Sequence, residues 1–156
     1  MTTHGTLCYI KDNGKILLQK KAKKLFGGDR WNAPGGKIAK GETPEQGVIR
    51  EIHEETGLTI SNPLNRGTLI FHTPEQKDPI WLVHVFETER YSGELKQNYR
   101  EGKLEWVDET KLPFDQMWED DKYWLPLMLK QKNFEGKFYF TEGLKKLVDH
   151  EVKILD

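Results

Sequence analysis

Glu51, Glu54 and Glu55 stand close together in a stretch running from Gly35-Gly36 to Gly57-Leu58. On a helix of about 100° per residue they fall within roughly one 100° arc, offset by about 120° from the apolar positions Val48, Ile49 and Ile52. Carboxylates stacked on one stripe repel one another and weaken an isolated helix. Such a cluster is most often a solvated face. The sharper reading is a hard-cation site, because Mg²⁺ takes oxygen ligands, stays partly hydrated and leaves positions for phosphate oxygens. Two features favour the cation. Arg50 lies one helical turn before Glu54 and can hold that carboxylate in place. The Gly35-Gly36 turn brings bare backbone, including a carbonyl, to the same helix. Gly47 lies inside the acidic arc, where a missing side chain leaves room for something to approach.

The element that must position these groups is a helix over Pro44–Thr56. Thr43 sits where an N-cap belongs, Pro44 at the first helical position, and Gln46 three residues after Thr43, the spacing of a capping box. Gly57 can end the helix in the left-handed region.

The same segment fits G-x5-E-x7-R-E-U-x-E-E-x-G-U (U apolar) at Gly36, Glu42, Arg50, Glu51, Ile52, Glu54, Glu55, Gly57 and Leu58. It resembles the signature of the Nudix hydrolases, and so many specified positions make the signal specific. The resemblance implies an enzyme that cleaves a nucleoside diphosphate linked to another moiety, using Mg²⁺ or Mn²⁺. It implies Glu51, Glu54, Glu55 and the Gly36 carbonyl as metal ligands, with Arg50 orienting the glutamates. Glu42 holds the loop or helps bind metal. The general base is either a signature glutamate such as Glu54 or an acid from a later loop, a place that Glu101 occupies here. His53 points away from the acidic arc and reads as a surface residue.

Composition sets outer bounds. The chain has 156 residues, 36% hydrophobic and 31% charged, which suits one globular domain over residues 1–156. No run approaches the ~18 apolar residues of a membrane span, and the first residues carry no export signal. Cys8 is the sole cysteine, which precludes an internal disulfide and suits a reducing cytoplasm; in a strand it reads as a small buried residue. A net charge of −1 argues against binding nucleic-acid polymers. The expected partner is a small nucleotide, and the chain is expected to be a monomer or homodimer. Lys20, Lys21, Lys23 and Lys24 form a basic run shortly before the Gly-Gly turn; such a run is more often a solvated loop, but one lysine can touch phosphate, and the resemblance implies Lys21 for that place.

Along the chain, Thr6–Ile10 and Lys15–Gln19 read as a hairpin turning on Asp12-Asn13-Gly14. Residues 30–36 read as one short strand ending in the turn. Thr68–His72 and Pro79–Glu87 read as strands, the latter with Ile80, Leu82, His84 and Phe86 alternating against Trp81, Val83 and Val85. Tyr91–Gly102 reads as a loop, Leu104–Val107 as a strand and Asp120–Lys130 as a helix containing Pro126. Phe138–Phe140 and Lys146–Ile154 complete the set as strands. A mixed sheet with two helices follows, compatible with the α/β/α sandwich that the Nudix resemblance implies, in the α+β class.

Specificity must come from outside the signature. The run Met117–Trp124, followed by Pro126, is similar to the base-binding segment of the MutT-homologue oxidised purine nucleoside triphosphatases. Phe26 and Arg30-Trp31-Asn32 match the same group. Taken alone, Asp120 and Asp121 would be a helix-start motif and the aromatics core residues. With the resemblance, Trp118 stacks on a purine, Phe26 walls the pocket and Asn32 offers donor and acceptor. Asp120 and Asp121, buried together, would share a proton and read an oxidised base edge. The expected activity is Mg²⁺-dependent hydrolysis of oxidised purine nucleoside triphosphates such as 8-oxo-dGTP. The alternatives are a Nudix pyrophosphatase for ADP-ribose, a dinucleoside polyphosphate or a pterin triphosphate, and a non-catalytic nucleotide sensor.

Overall fold

The computed structural model describes residues 1–155. Strand β1 (Thr3–Asp12) is its axis. Its last residues pair antiparallel with β2 (Lys15–Lys21) across Asn13 and Gly14, whose φ values of 49° and 77° suit a two-residue hairpin loop. Strand β2 continues to β3 (Trp31–Asn32) and, on its other edge, to β9 (Gly102–Asp108). The first half of β1 pairs instead with β4 (Gly35–Lys37).

On the opposite edge β1 runs parallel to β7 (Trp81–Thr88). The sheet then continues through β6 (Leu64–His72) and β10 (Asn133–Phe140) to β11 (Leu147–Leu155). The β1–β7 and β6–β10 pairs are parallel and the rest antiparallel, so the nine-stranded sheet is mixed, as expected. No helix among the described residues is long and apolar enough to cross a membrane.

Each face of the sheet carries one helix. Cys8 and Ile10 of β1 and Leu17 of β2 pack with Val48 and Ile52 of α1 (Pro44–Thr56). Tyr9, Ile16 and Leu18, pointing the other way, pack with Trp124, Leu125 and Met128 of α2 (Asp121–Leu129). All of these are fully buried. Strands covered on both faces read as nearly unbroken apolar runs, which is how β1 and β2 look in sequence. The buried Cys8 fits its expected role, and burial pushes its thiol far above the ordinary range.

Helix α1 forms where its caps place it. Thr43 Oγ1 accepts from Gln46 N at 3.1 Å, and Gln46 Oε1 accepts from Thr43 N at 3.0 Å. Gly57 closes the helix with φ 81°.

Three expectations change. Residues 30–36 are two strands rather than one, because Pro34 has no N–H for a ladder and the chain crosses there from β2 to β1. The Pro34 carbonyl still accepts from Cys8 N at 3.0 Å. Tyr91–Gly102 is not all loop: β8 (Tyr91–Gly93) pairs with β5 (Leu58–Ile60), and the Tyr91 hydroxyl donates to Asp12. The bare side of Gly47 meets the incoming loop, Ile38 and Glu42 at 3.4 Å from a would-be methyl, so the room it leaves is taken by protein.

Candidate active site

Arg50 ties the acidic end of α1 together. Its Nε and Nη2 donate to the two oxygens of Glu42 at 2.7 and 2.9 Å, a fork-to-fork pair. Its Nη1 donates to Glu51 Oε1 at 2.8 Å and to Glu54 Oε2 at 3.1 Å, and Nη2 also reaches the Lys37 carbonyl at 3.1 Å. Glu42 accepts in addition from Ala39 N at 2.8 Å. The Arg50 guanidinium, helped by that N–H, holds the Glu42 carboxyl down at about 2. Glu42 therefore anchors the loop that leads into the helix.

Glu51 lies flat against the Gly35-Gly36 turn. A methyl group on Gly36 would overlap its carboxylate, so only glycine lets β4 and α1 approach this closely. The Gly36 carbonyl accepts from Thr6 Oγ1 at 3.1 Å. Glu55 faces a cleft of about 500 Å³, with Lys21 and Glu101 on its lining. Burial raises the Glu55 carboxyl to about 7; Lys21 opposes the rise, while the charges of Glu51 and Glu101 add to it. Glu101 stands beside Lys21 because β2 and β9 pair Lys21 with Gly102.

Glu54 sits apart. Its side chain is 58% exposed, it binds Arg50, and it does not line the cleft. His53 is exposed. Among the described residues no three Asp, Glu, His or Cys side chains already close around a common point. The donor set still fits a divalent cation. The Gly36 carbonyl and the buried, charge-crowded Glu55 on the cleft lining, with Glu51 packed against Gly36 just outside it, are hard oxygen donors, and a Mg²⁺-like ion takes its remaining ligands from water and phosphate.

The far end of the cleft is aromatic. Phe26 lies at 5.5 Å from Trp118, centroid to centroid, Phe140 meets its edge at 6.4 Å, and the Arg30 guanidinium lies 4.4 Å over the ring. Phe26 reaches this position because Lys21 and Arg30 close the loop between them, with Lys21 N donating to the Arg30 carbonyl at 2.9 Å. Asn32 Oδ1 accepts from Ala33 N at 2.9 Å, which orients its amide NH₂.

Asp120 and Asp121 line the same end, each 2% exposed. They are not a helix-start motif, since Asp120 at the N-cap makes no capping bond. Asp120 Oδ2 instead accepts from Trp124 Nε1 at 2.8 Å. Asp120 Oδ1 and Asp121 Oδ2 are buried without a protein partner. Burial raises Asp120 to about 6, and burial plus the Asp120 charge holds Asp121 well above its ordinary value. At neutral pH the pair therefore keeps a proton and presents a donor beside acceptors.

The cleft thus gathers Lys21, Phe26, Asn32, Gly36, Glu55, Glu101, Trp118, Asp120 and Asp121, and leaves Arg50, Glu51 and Glu54 outside its lining. It also has walls that were not singled out from sequence: Phe71, Trp81, Phe140 and Leu144. The alternation in β7 had set Trp81 and Val83 on one face, but nothing in sequence said which face opens on the site.

Known proteins resemble this chain in sequence and fold. The chain is 40% identical to the oxidized purine nucleoside triphosphate hydrolase of Danio rerio over 147 residues, covering 94% of this chain and 92% of that protein. It is 36% identical to the mouse (Mus musculus) protein of the same name over 140 residues, covering 88% and 86%. A crystal structure of a mutator MutT protein from Bacillus halodurans superposes with a TM-score of 0.84 at 28% identity, covering 97% of both chains. The NUDIX domain family matches residues 1–128, so this chain belongs to the Nudix family of hydrolases.

Proposed function

We propose that this protein hydrolyses oxidised purine nucleoside triphosphates, 8-oxo-dGTP among them, to the nucleoside monophosphate and pyrophosphate. One observation carries the reading. Two adjacent aspartates, buried with unpartnered oxygens, face an aromatic slot at the end of the cleft away from the acidic helix. Leaving such oxygens buried is costly unless a ligand completes them. A purine stacked on Trp118, with Phe26 as a side wall, would offer its edge to the pair. The proton the pair retains makes one member a donor to a base oxygen and the other an acceptor from a ring N–H. Asn32 adds its amide donor. The two relatives named above as oxidized purine nucleoside triphosphate hydrolases support the substrate class.

Nudix hydrolases use a divalent cation, and Mg²⁺ is the proposed one here, with Mn²⁺ as a substitute. It would be held by Glu51, Glu54, Glu55 and the Gly36 carbonyl, and when bound it supplies charge neutralisation to the polyphosphate. The chain does the rest. Arg50 keeps Glu51 and Glu54 oriented. Lys21 meets a phosphate at the cleft rim. A signature glutamate such as Glu54, or Glu101 on the cleft lining, takes the proton of the attacking water; one P–O–P bond breaks as water adds, leaving two phosphate ends.

The decisive assay compares kcat/KM for 8-oxo-dGTP and dGTP, with products identified, beside ADP-ribose, a dinucleoside polyphosphate and a pterin triphosphate. A preference for 8-oxo-dGTP is expected. Asp120→Asn should change the base preference while leaving Mg²⁺ binding intact; an unchanged substrate profile would remove the pocket assignment. Tight nucleotide binding without any turnover would make the protein a sensor.

A further inference from the structure

The tip of the β10–β11 hairpin lies outside the segment that matches the NUDIX domain family, residues 1–128, yet it reaches the cleft. It is a closed loop. Thr141 N donates to the Lys146 carbonyl at 2.8 Å, Thr141 Oγ1 accepts from Lys146 N at 3.0 Å, and Leu144 N donates to the Thr141 carbonyl at 3.0 Å. Two acidic side chains pin it from outside. Glu119 Oε1, next to the aspartate pair, accepts from Leu147 N at 3.1 Å, and Glu75 Oε1 accepts from Gly143 N.

Within this loop Gly143 and Leu144 both have left-handed backbone, with φ of 72° and 57°. Glycine adopts that conformation freely, but a branched, bulky side chain does so only where its surroundings dictate it. Leu144 is half-buried, packs against the larger core cluster and lines the cleft at the end that holds Trp118, Asp120 and Phe140. A glycine or asparagine there would relax the backbone and lose the wall. Local strain retained at a cleft is a sign of use rather than of packing convenience.

We infer that Leu144 is a specificity-determining residue: its side chain closes the aromatic slot over the purine ring, and the hairpin tip sets the size of base the slot admits. This rests on the purine reading of the slot given above. The Glu119 hydrogen bond to Leu147 N ties the tip to the segment that carries Trp118, Asp120 and Asp121.

The test uses Leu144→Gly and Leu144→Ala in the full chain. Leu144→Gly relaxes the backbone, so its Tm should equal or exceed the wild-type value, while Leu144→Ala keeps the left-handed cost and should melt lower. Both should raise KM for 8-oxo-dGTP about ten-fold, the scale of one lost aliphatic contact, with kcat within about two-fold. Both should also weaken binding of 8-oxo-dGMP by a similar factor in calorimetry, and leave pyrophosphate binding unchanged. A Tm at or above wild type combined with a raised KM separates substrate contact from a folding role, which would lower Tm and kcat together. If wild type hydrolyses purine triphosphates and both variants keep its KM and its monophosphate affinity, the inference about Leu144 is overturned and the purine reading stands. If wild type neither binds nor hydrolyses a purine nucleotide, both fall.

Discussion

Trp124 Nε1 and Asp120 Oδ2 are 2.8 Å apart, one helical turn from each other at the start of α2, and this bond fixes one carboxyl of the buried pair while leaving its other oxygen to the cleft. The second carboxyl, Asp121, is held well above its ordinary value by burial and by the Asp120 charge. The folded protein therefore binds a proton at pH values where the unfolded chain has already released it. The sign follows from linkage: where the native state holds more protons, stability falls as pH rises. For this pair the fall begins near the ordinary aspartate value and runs through about 6 and above. Asp121→Asn should remove much of it. Relative to wild type, the variant should gain stability as pH rises from 4.5 to 7.5. Denaturant unfolding at the two pH values measures this, and a pH-independent difference would contradict it.

Arg50 serves several carboxylates at once, so replacing it with methionine should release Glu42, Glu51 and Glu54 together. The expected result is a loss of divalent-cation affinity on the order of 10–100-fold, the usual cost of losing a residue that orients ligands. Activity should recover partly at high Mg²⁺. Titrating turnover against Mg²⁺ checks it, and an unshifted midpoint would show that Arg50 acts on the loop alone.

Gly36→Ala probes the contact between the turn and the helix. The added methyl would overlap the Glu51 carboxylate, which must then leave its place against β4. Turnover should drop by roughly two orders of magnitude, while the melting temperature falls by only a few degrees. Parallel kinetics and thermal unfolding distinguish this from general misfolding, which would abolish both.

Tyr9 tests the cost of burial behind the aspartate pair. Its hydroxyl is fully buried, has no hydrogen-bond partner, and lies close enough to the aspartate pair for their charges to raise its pKa further after burial has done so. A buried donor without an acceptor costs about 1–3 kcal/mol. Tyr9→Phe should therefore match or exceed wild-type stability, with the ring still meeting Trp124 edge-on. A clear loss of stability would mean that the hydroxyl has a partner in solution.

How much of this was readable beforehand varies by residue. The signature helix was fully legible, because Thr43, Pro44, Gln46 and Gly57 each act through local chemistry and the acidic stripe follows from helical period alone. The division of β1 and β2 between two cores was legible in outline, since Cys8, Ile10, Tyr9, Leu17 and Leu18 alternate. The burial of Asp120 and Asp121 was not readable from composition, because adjacent aspartates ahead of a helix usually cap it; only their likeness to a known segment pointed inward. Trp81 and Leu144 escaped notice because they meet the cleft through pairings between strands remote in sequence. The β5–β8 ribbon escaped because each of its strands has only three residues.

Strand β1 changes neighbours partway along, from β4 beside its first residues to β2 beside its last. Both ends of the binding site hang on that single ribbon: Gly36 through β4, and Lys21 and Asn32 through β2 and β3. A one-residue slip in β1 would exchange its two faces and drag the anionic and the flat hydrophobic ends of the site out of alignment together. Insertions should be ruinous anywhere between Gly5 and Ile10, where one length of backbone acts as the common ruler for a nucleotide's two halves.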